Sequence, residues 1–445
     1  MRTGQHIACL WLLLLVSNCG CALVKYPQGS EGLHNQNLVE VSYSPAGSGV
    51  YLGSPSLLVL HESGRILCSH DTFPDGETTY VLESKDGGAT WQNLSSVAAQ
   101  YWSNLFMVQD TIYLMGTTHS TFGAGIALSE SSDGGSSWRH AVLFEPPSGC
   151  SYSTGAVPVL DHGGLLYRGF EMWCGSWLVW PQAYQAFVVY ANRSSTLLDP
   201  ASWTRTEAVA FTRDMIPEWM PSPVVSGGFL EGNTVLRPDG RVSLLMRCRV
   251  YNGQSEMYSV QEACLLDLTA STSDMDIREA RLSLRWQGHV FMPGGGNKFT
   301  VRYDVHSRMY LSLTNPSIDR YGVNPDARNV LVLVFSQNLV DWRIATTVLV
   351  PNDGLDWEAS LWFTGYQYVD WQTDGPDIVM AVRTAYQGAH SFHDSNRRVA
   401  WGRRIMGSCA AHLGTGDHPP PNPLPTSIAT ESHSSASRTT CATSL

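Results

Sequence analysis

A glutamate and an arginine lie at opposite ends of one predicted β-hairpin. Glu231 and Arg247 flank the turn Pro238-Asp239-Gly240, in which proline fixes φ and glycine accepts a positive φ. Two strands around this turn bring the carboxylate and the guanidinium to the same end of the hairpin. Such a pair can supply a base and an anion-binding group, although it can also be an ordinary surface ion pair.

The composition favours many short strands over helices. The 445 residues include 15 Trp, 18 Tyr and 40 Gly, and only 15% of them are charged. Aromatic residues suit strands, and tight turns need glycine. The length allows two or three domains, but closed all-β folds run longer as single units.

An apolar strand, a polar turn and a second apolar strand recur six times from Tyr51 onward. The turns are Glu62–Arg65, Gln109–Asp110, Asp161–Gly164, Pro238–Gly240, Asp304–Ser307 and Thr373–Pro376. Each unit of roughly 65 residues is longer than a minimal propeller blade of ~40 to 45, which decorated loops would explain. We therefore predict an all-β, six-bladed β-propeller over residues 30–408.

Both ends of the chain differ from this central part. Arg2, an apolar run over residues 8–16 and small residues up to position 22 predict a secretory signal peptide, residues 1–22. Residues 411–445 are rich in Pro, Ser and Thr, and we predict that they are disordered. Asn93 and Asn192 begin N-glycosylation acceptor patterns. We expect a secreted protein.

Charge and apolar runs argue against two classes of partner. The net charge is −11 and no block of Lys or Arg occurs, which disfavours nucleic acid and anionic membranes. No apolar run after the signal peptide reaches the roughly 18 residues that span a bilayer.

The cysteine spacing does not suggest a metal site. No C-x-x-C pair is present, and in an oxidising compartment Cys150 with Cys174 and Cys248 with Cys264 are the first pairings to expect. Buried free thiols remain the alternative. A late cluster consists of Asp370, His390, His393 and Asp394. It lacks the His spacing of a helical zinc site, and we interpret it as part of a loop at the mouth of a pocket. We expect neither a metal nor a cofactor.

Two octapeptides share a turn motif, SKDGGATW at residues 84–91 and SSDGGSSW at residues 131–138. They resemble the Asp box (BNR repeat) of the sialidase (neuraminidase) superfamily, and shorter copies end at Trp342 and Trp203. In this box the aspartate accepts backbone N–H groups, glycine supplies a positive φ, and tryptophan fills the gap between sheets. The box is structural, and non-enzymatic propellers such as sortilin-like proteins also carry it.

The resemblance implies roles for the first hairpin. In sialidases a glutamate, a P-D-G-R turn and an arginine on the following strand activate a tyrosine nucleophile and hold the substrate carboxylate. Glu231 and Arg247 match this arrangement, with Arg249 as the alternative arginine. The segment that carries the catalytic tyrosine matches best at Tyr368, with Tyr366 as its neighbour. A tyrosine has an ordinary pKa near 10, so it needs a base beside it.

Asp71 lies where the family keeps its acid/base aspartate, in a loop after the first hairpin. The alternative is a turn-capping aspartate, a role that suits Asp75 better because glycine follows it. The resemblance implies a tyrosine nucleophile because a carboxylate would face the carboxylate of the substrate.

The arginines depart from the family pattern. The first family arginine is missing from the stretch at residues 51–55, and Arg383 stands where the family has the glutamate that pairs with it. Our hypothesis is that Arg247, Arg328 and Arg383 together bind an anionic group. Alternatively, carboxylate recognition has been lost and the pocket holds a different sugar.

Further polar and aromatic residues are candidates for the pocket. Glu171, a second candidate acid or base, and Arg302 lie on strands that would otherwise be core, where internal salt bridges are the alternative. Sugar-stacking candidates are Trp102, Trp173, Trp177, Trp357 and Trp362.

The resemblance implies a secreted exo-glycosidase that removes a terminal acidic sugar, sialic acid or a related ulosonic or uronic acid, from glycoconjugates. A non-catalytic, glycan-binding (lectin-like) propeller is the alternative, because propellers also host non-enzymes. In either case we expect a glycan partner and a monomer.

Overall fold

The structure is a computed structural model. It describes residues 33–34, 38–45, 48–74, 76–175, 181–216, 226–251, 257–258, 261–270, 281–316, 327–351, 353–375, 377–385, 391–392 and 398–405. The predicted signal peptide and tail lie outside these residues, as do Asp75, Trp177, His390, His393 and Asp394. The extent of the propeller at residues 30–408 stays a prediction.

Almost all regular structure in the described residues is β-strand. In chain order the strands are β1 (Leu33–His34), β2 (Val39–Tyr43), β3 (Tyr51–Leu52), β4 (Ser56–Leu60), β5 (Arg65–Phe73), β6 (Thr78–Ser84), β7 (Gln92–Ala98), β8 (Tyr101–Val108), β9 (Thr111–Thr117), β10 (Ile126–Ser131), β11 (Arg139–Phe144), β12 (Cys150–Ser153), β13 (Leu160–His162), β14 (Leu165–Cys174), β15 (Gln185–Asn192), β16 (Trp203–Arg205), β17 (Ser226–Leu236), β18 (Val242–Tyr251), β19 (Met257–Tyr258), β20 (Glu262–Ala270), β21 (Leu282–Phe291), β22 (Val301–Asp304), β23 (Met309–Thr314), β24 (Leu331–Ser336), β25 (Arg343–Val350), β26 (Gly365–Asp374), β27 (Asp377–Ala385) and β28 (Arg398–Ile405). The helices are α1 (Trp357–Phe363) and two 3-10 turns, Pro200–Ser202 and Arg213–Met215. No helix in this part of the chain is long and apolar enough to cross a membrane.

The described strands form six sheets, each built on an antiparallel meander of four strands. Their orders are β4-β5-β6-β7 with β3 beside β5, β8-β9-β10-β11, β12 and β13 beside β14-β15-β16, β17-β18-β20-β21 with β19 beside β18, β22-β23-β24-β25 with β1 beside β25, and β26-β27-β28-β2. The first strands of neighbouring sheets contact one another: β4 contacts β8 and β26, and β17 contacts β13 and β22. The all-β propeller predicted from the sequence is confirmed.

Strands from near the two ends of the described chain share a sheet. β2, near the start of the chain, pairs antiparallel with β28, and β28 pairs with β27. This pairing joins the last sheet to residues from the beginning of the chain, so the ring is closed by backbone hydrogen bonds.

The predicted hairpins are present, and each of the six turns joins the inner strand of a sheet to the strand beside it. At the turn between β17 and β18, the Arg237 N–H donates to the Arg241 carbonyl at 2.7 Å, and the Gly240 N–H donates to the Arg237 carbonyl at 3.0 Å. Gly240 has φ +83°, as this turn requires. Arg247 is the pairing partner of Leu230, which places it beside Glu231.

The turn at residues 84–91 has the hydrogen bonds expected from its sequence. Asp86 accepts the Thr90 N–H at 2.9 Å and the Ser84 hydroxyl at 2.8 Å, and the Trp91 indole N–H donates to the Gly88 carbonyl at 3.1 Å. Residues 131–138 repeat this pattern around Asp133. The side-chain bonds make each turn a self-contained unit.

Both expected disulfides, Cys150–Cys174 and Cys248–Cys264, are confirmed. Within the described residues, Cys68 is a buried free thiol, and burial raises the pKa of this thiol. Cys68 is therefore not a nucleophile of the kind found in reactive sites.

Polar side chains join the inner strands at the centre of the ring. Asp370 on β26 accepts the Ser56 hydroxyl at 3.0 Å and the Leu57 N–H at 2.9 Å, both from β4. The Asn104 amide of β8 donates to Ser56 Oγ at 2.8 Å. Arg302 donates to the other Asp370 oxygen at 3.0 Å. Arg302 is thus part of an internal salt bridge, the alternative that the sequence left open.

Candidate active site

A cavity of about 390 Å³ opens near the ends of the inner strands. Its charged lining residues among those described are Asp71, Glu231 and Arg383. The remaining lining residues are mostly aromatic or small and polar: Tyr51, Leu52, Gly53, Ser54, Phe73, Tyr101, Trp102, Ser120, Ser153, Thr154, Tyr184, Leu230 and Tyr368. Of the eight predicted site residues, Asp71, Glu231, Tyr368 and Arg383 therefore line one cavity.

Tyr368 and Glu231 meet across the ring although 137 positions separate them in the sequence. The Tyr368 hydroxyl donates to Glu231 Oε1 at 2.8 Å. Arg247 Nη1 donates to Glu231 Oε2 at 2.9 Å, and Arg247 Nε donates to the Gly296 carbonyl at 3.0 Å. Both oxygens of the carboxylate are therefore held, one by a candidate nucleophile and one by a buried cation.

The backbone presents both side chains to the cavity. Glu231 and Tyr368 have φ values of +52° and +53°, a left-handed conformation that residues other than glycine rarely adopt. Each lies where strand register shifts, between Leu230 and Asn233 on β17 and between Gln367 and Asp370 on β26. A β-bulge redirects a side chain relative to the regular strand. Strain of this kind is concentrated at functional sites.

The electrostatic environment shifts the pKa values of Glu231 and Tyr368 in opposite directions. Burial opposes ionisation of Glu231, but the Arg247 charge and the hydrogen bonds from Arg247 and Tyr368 outweigh it, so the pKa of the Glu231 carboxyl is below its ordinary value. Burial and the neighbouring Glu231 charge raise the pKa of the Tyr368 phenol. At neutral pH Glu231 is ionised and Tyr368 is protonated, as a base and its proton donor should be.

Asp71 occupies a closely fitted position on β5. It is buried, and its Oδ2 accepts the Trp102 N–H at 2.9 Å. A Cβ atom placed on Gly53 would lie 1.6 Å from Asp71 Oδ1. The carboxylate therefore fits only because residue 53 has no side chain, which explains the glycine in this stretch.

Only one of the three predicted substrate-binding arginines lines the cavity. The Arg383 guanidinium lies 4.6 Å from the centroid of the Tyr368 ring. Burial lowers the pKa of Arg383, and the charges of Tyr368 and Asp71 oppose that shift. Arg247 lies behind Glu231, and the buried Arg328 is not among the lining residues. The structure does not bring the three arginines together on the cavity wall.

Glu171 lies behind the cavity wall. Its side chain is fully buried on β14, and its Oε1 accepts the Gly232 N–H at 3.3 Å. Burial, together with the Glu231 charge, raises the pKa of Glu171 well above its ordinary value. Both effects favour the protonated form of Glu171, next to a glutamate whose ionised form is favoured.

The two tyrosines that the sequence left as neighbours have different surroundings. Tyr366 is fully buried, and its hydroxyl donates to the Val350 carbonyl at 3.4 Å. Tyr368 faces the cavity, as does Trp102 alone of the candidate stacking tryptophans that the structure describes. Sequence reasoning did not single out Tyr101, Thr154 or Tyr184, since nothing in the local pattern marks a residue that lines a cavity built from several sheets.

The fold is similar to that of several solved proteins. An α-L-arabinofuranosidase from Fusarium graminearum, in complex with an iminosugar inhibitor, has 12% sequence identity and a TM-score of 0.50, over 84% of this chain and 98% of that one. A Dyadobacter fermentans protein of unknown function has 14% identity and a TM-score of 0.50, over 82% and 98%. A leech intramolecular trans-sialidase has 10% identity and a TM-score of 0.48, over 84% and 71%.

The chain shares its propeller fold with a glycosidase. No protein-family model matches the sequence, and no curated protein is significantly similar to it. At identities this low the likeness concerns the fold alone, because one fold hosts many functions. The activity has to be inferred from the cavity.

Proposed function

We propose that the chain is a secreted exo-glycosidase in which Tyr368 is the nucleophile, Glu231 its base, and Asp71 the acid/base for the leaving group. One observation carries the proposal: the Tyr368 hydroxyl donates to Glu231 Oε1 at 2.8 Å on the wall of the cavity. A hydroxyl within hydrogen-bond reach of an ionised, oriented base is the arrangement of an activated nucleophile.

In the first step, Glu231 accepts the phenolic proton as Tyr368 attacks the anomeric carbon. The bond to the leaving oxygen breaks while Asp71 donates a proton to that oxygen. The positive charge of Arg383, 4.6 Å from the Tyr368 ring, stabilises the developing phenolate. The products of this step are a covalent intermediate, in which the sugar is joined to the Tyr368 oxygen by an aryl glycosidic bond, and the free aglycone.

In the second step, Asp71 accepts a proton from water, and the resulting hydroxide attacks the anomeric carbon. The bond to Tyr368 breaks, and Glu231 returns the proton to the phenolate. Two displacements at one carbon preserve its configuration, so the reaction is retaining. The Arg247 charge keeps Glu231 in the ionised form that each new cycle requires.

The cavity volume supports removal of one terminal sugar. About 390 Å³ is near the lower end of the usual range of ligand sites, roughly 300–1,000 Å³. Arg383 is the one cation among the described lining residues and would bind the carboxylate of a sialic, ulosonic or uronic acid. We therefore propose a terminal acidic sugar as the substrate.

A panel of fluorogenic glycosides tests this function. It contains α-sialosides, Kdo glycosides and uronides, together with neutral arabinofuranosides and hexosides. We expect turnover of an acidic member and its loss in Tyr368→Phe and Glu231→Gln. Turnover of neutral members alone would contradict the acidic substrate, and tight glycan binding with no turnover would favour the lectin alternative.

A further inference from the structure

Trp102 occupies the same kind of position as the two residues proposed to form the nucleophile pair. Trp102, Glu231 and Tyr368 have φ values of +47°, +52° and +53°, and all three line the cavity. Each lies at a register shift of the inner strand of its sheet, here between Tyr101 and Asn104 on β8. Inner strands of three different sheets thus place a left-handed residue on the same wall.

The Trp102 peptide is held from both sides. Its N–H donates to Asp71 Oδ2 at 2.9 Å, and its carbonyl accepts from Arg168 Nη2 at 3.2 Å. Arg168 is fully buried and also donates to the Gly155 carbonyl at 3.0 Å. Burial lowers the pKa of Arg168 to about 9, so the guanidinium keeps its charge at neutral pH. A strained, left-handed conformation persists where contacts with surrounding groups hold it in place.

The indole is positioned by its own neighbour. The Tyr101 ring centroid lies 5.2 Å from that of Trp102, in a tilted arrangement, and both residues line the cavity. Trp102 is only partly buried and lines the cavity, so part of the residue is accessible to a ligand there. A flat aromatic face suits the C–H face of a sugar ring, whereas the polar edge of the ring needs hydrogen-bond partners.

We infer that Trp102 has two roles in this site: its backbone N–H orients the Asp71 carboxylate, and its indole stacks on the ring of the bound sugar. The inference rests on the proposed function. Together with the nucleophile pair it accounts for all three left-handed residues on the cavity wall. It adds a stacking residue to a site that otherwise recognises charge.

Trp102→Gly separates the two roles. Glycine adopts φ +47° without strain and keeps the N–H that binds Asp71, but it removes the indole. We expect at least tenfold weaker binding of the released monosaccharide by isothermal titration calorimetry, because the variant has no aromatic ring to stack on the sugar. Trp102→Phe, which keeps a smaller ring, should lie between wild type and Trp102→Gly. If no glycoside is cleaved, the intact glycosides of the panel serve as the ligands.

Ala99→Gly is the matched control. Ala99 is an exposed turn residue with φ +53° that does not line the cavity, so it reports relief of left-handed strain without loss of a contact. Its sugar affinity should equal that of wild type. Circular dichroism and urea unfolding establish that each variant is folded.

The outcomes distinguish this inference from the proposed function. If wild type and folded Trp102→Gly bind sugar equally, the stacking role is overturned while hydrolysis stands. If wild type binds sugar without turnover and Trp102→Gly binds it more weakly, hydrolysis is overturned and the stacking role stands. If wild type binds no glycan of the panel, both are overturned.

Discussion

Glu231 and Glu171 are neighbouring buried carboxyl groups with opposite pKa shifts. The Arg247 charge and two hydrogen bonds lower the pKa of Glu231, whereas burial and the Glu231 charge raise the pKa of Glu171. Two carboxyl groups at short range cannot both be ionised without a large cost in electrostatic free energy. Glu171 accepts the Gly232 N–H and thereby supports the left-handed backbone at Glu231.

Glu171→Gln should stabilise the protein at neutral pH. Because the folded-state pKa of Glu171 is raised above its unfolded value of about 4.3, the folded state holds this proton more tightly. The free energy of unfolding therefore falls as pH rises from that value towards the folded-state pKa. Glutamine removes this loss and still accepts the Gly232 N–H. Urea unfolding from pH 4 to 8 should show a gain that is absent at the acidic end.

Glu231→Gln provides the opposite comparison in the same experiment. The folded-state pKa of Glu231 is lowered, so its contribution to stability is present above its unfolded pKa and lost as pH falls through the folded value. The Glu231→Gln substitution leaves Arg247 buried without its charge partner, which lowers the free energy of unfolding by about 3–5 kcal/mol.

For Glu171→Gln, a variant that is less stable than wild type at pH 8 would contradict the raised pKa of Glu171.

The sequence predicted the contacts that form within a single hairpin. The turn at Pro238–Gly240 was sufficient to place Arg247 beside Glu231, and the structure has that contact. It was not sufficient to predict that Arg302 pairs with Asp370, or that Arg328 stays off the cavity wall, because these placements depend on which strands meet at the centre of the ring. The catalytic and substrate-binding roles stay predictions.

The inner strands combine two features within a few residues, a bulge that faces the cavity and a buried polar side chain that binds the next sheet. On β26 these are Tyr368 and Asp370, and on β8 they are Trp102 and Asn104. The polar side chain, two positions after the left-handed residue, binds the strand to the neighbouring sheet. This proximity explains how the bulges keep their conformation.

Asp370→Ala should lower the free energy of unfolding by about 3–5 kcal/mol, because it leaves the Arg302 guanidinium without its buried partner and frees the N–H and hydroxyl groups of β4. Asp374→Ala on the same strand is the control. Asp374 Oδ1 lies 3.8 Å from Nδ1 of the exposed His61, a contact worth at most about 1 kcal/mol. Equal costs in urea unfolding would contradict the central role of Asp370.

Local sequence determined the turns but not the bulges. The repeated turns at residues 84–91 and 131–138 are stabilised by their own side chains, so their motif predicted their hydrogen bonds. The bulges at Trp102, Glu231 and Tyr368 depend on the register of the adjacent strand and carry no glycine to mark them. The three left-handed residues on the cavity wall were therefore not predictable.

The complete ring brings the candidate site together. Asp71 comes from β5, Glu231 from β17, Tyr368 from β26 and Arg383 from β27. The cavity therefore forms only when sheets that are far apart in the sequence come together in space. Pairing of β2 with β28 links the two ends of the described chain. The repeat of strands and turns predicted this architecture. The cavity wall depends on closure of the ring of sheets, which the sequence of a single repeat does not determine.

Covalent trapping tests the central claim, that Tyr368 is the nucleophile. A fluorinated glycoside of the sugar that the panel identifies slows the second step, so the glycosyl-enzyme accumulates and can be located by peptide mass spectrometry. We predict one label per chain, on Tyr368, and none in Tyr368→Phe. A label on Glu231 or Asp71, or turnover with inversion and no label, would contradict the account.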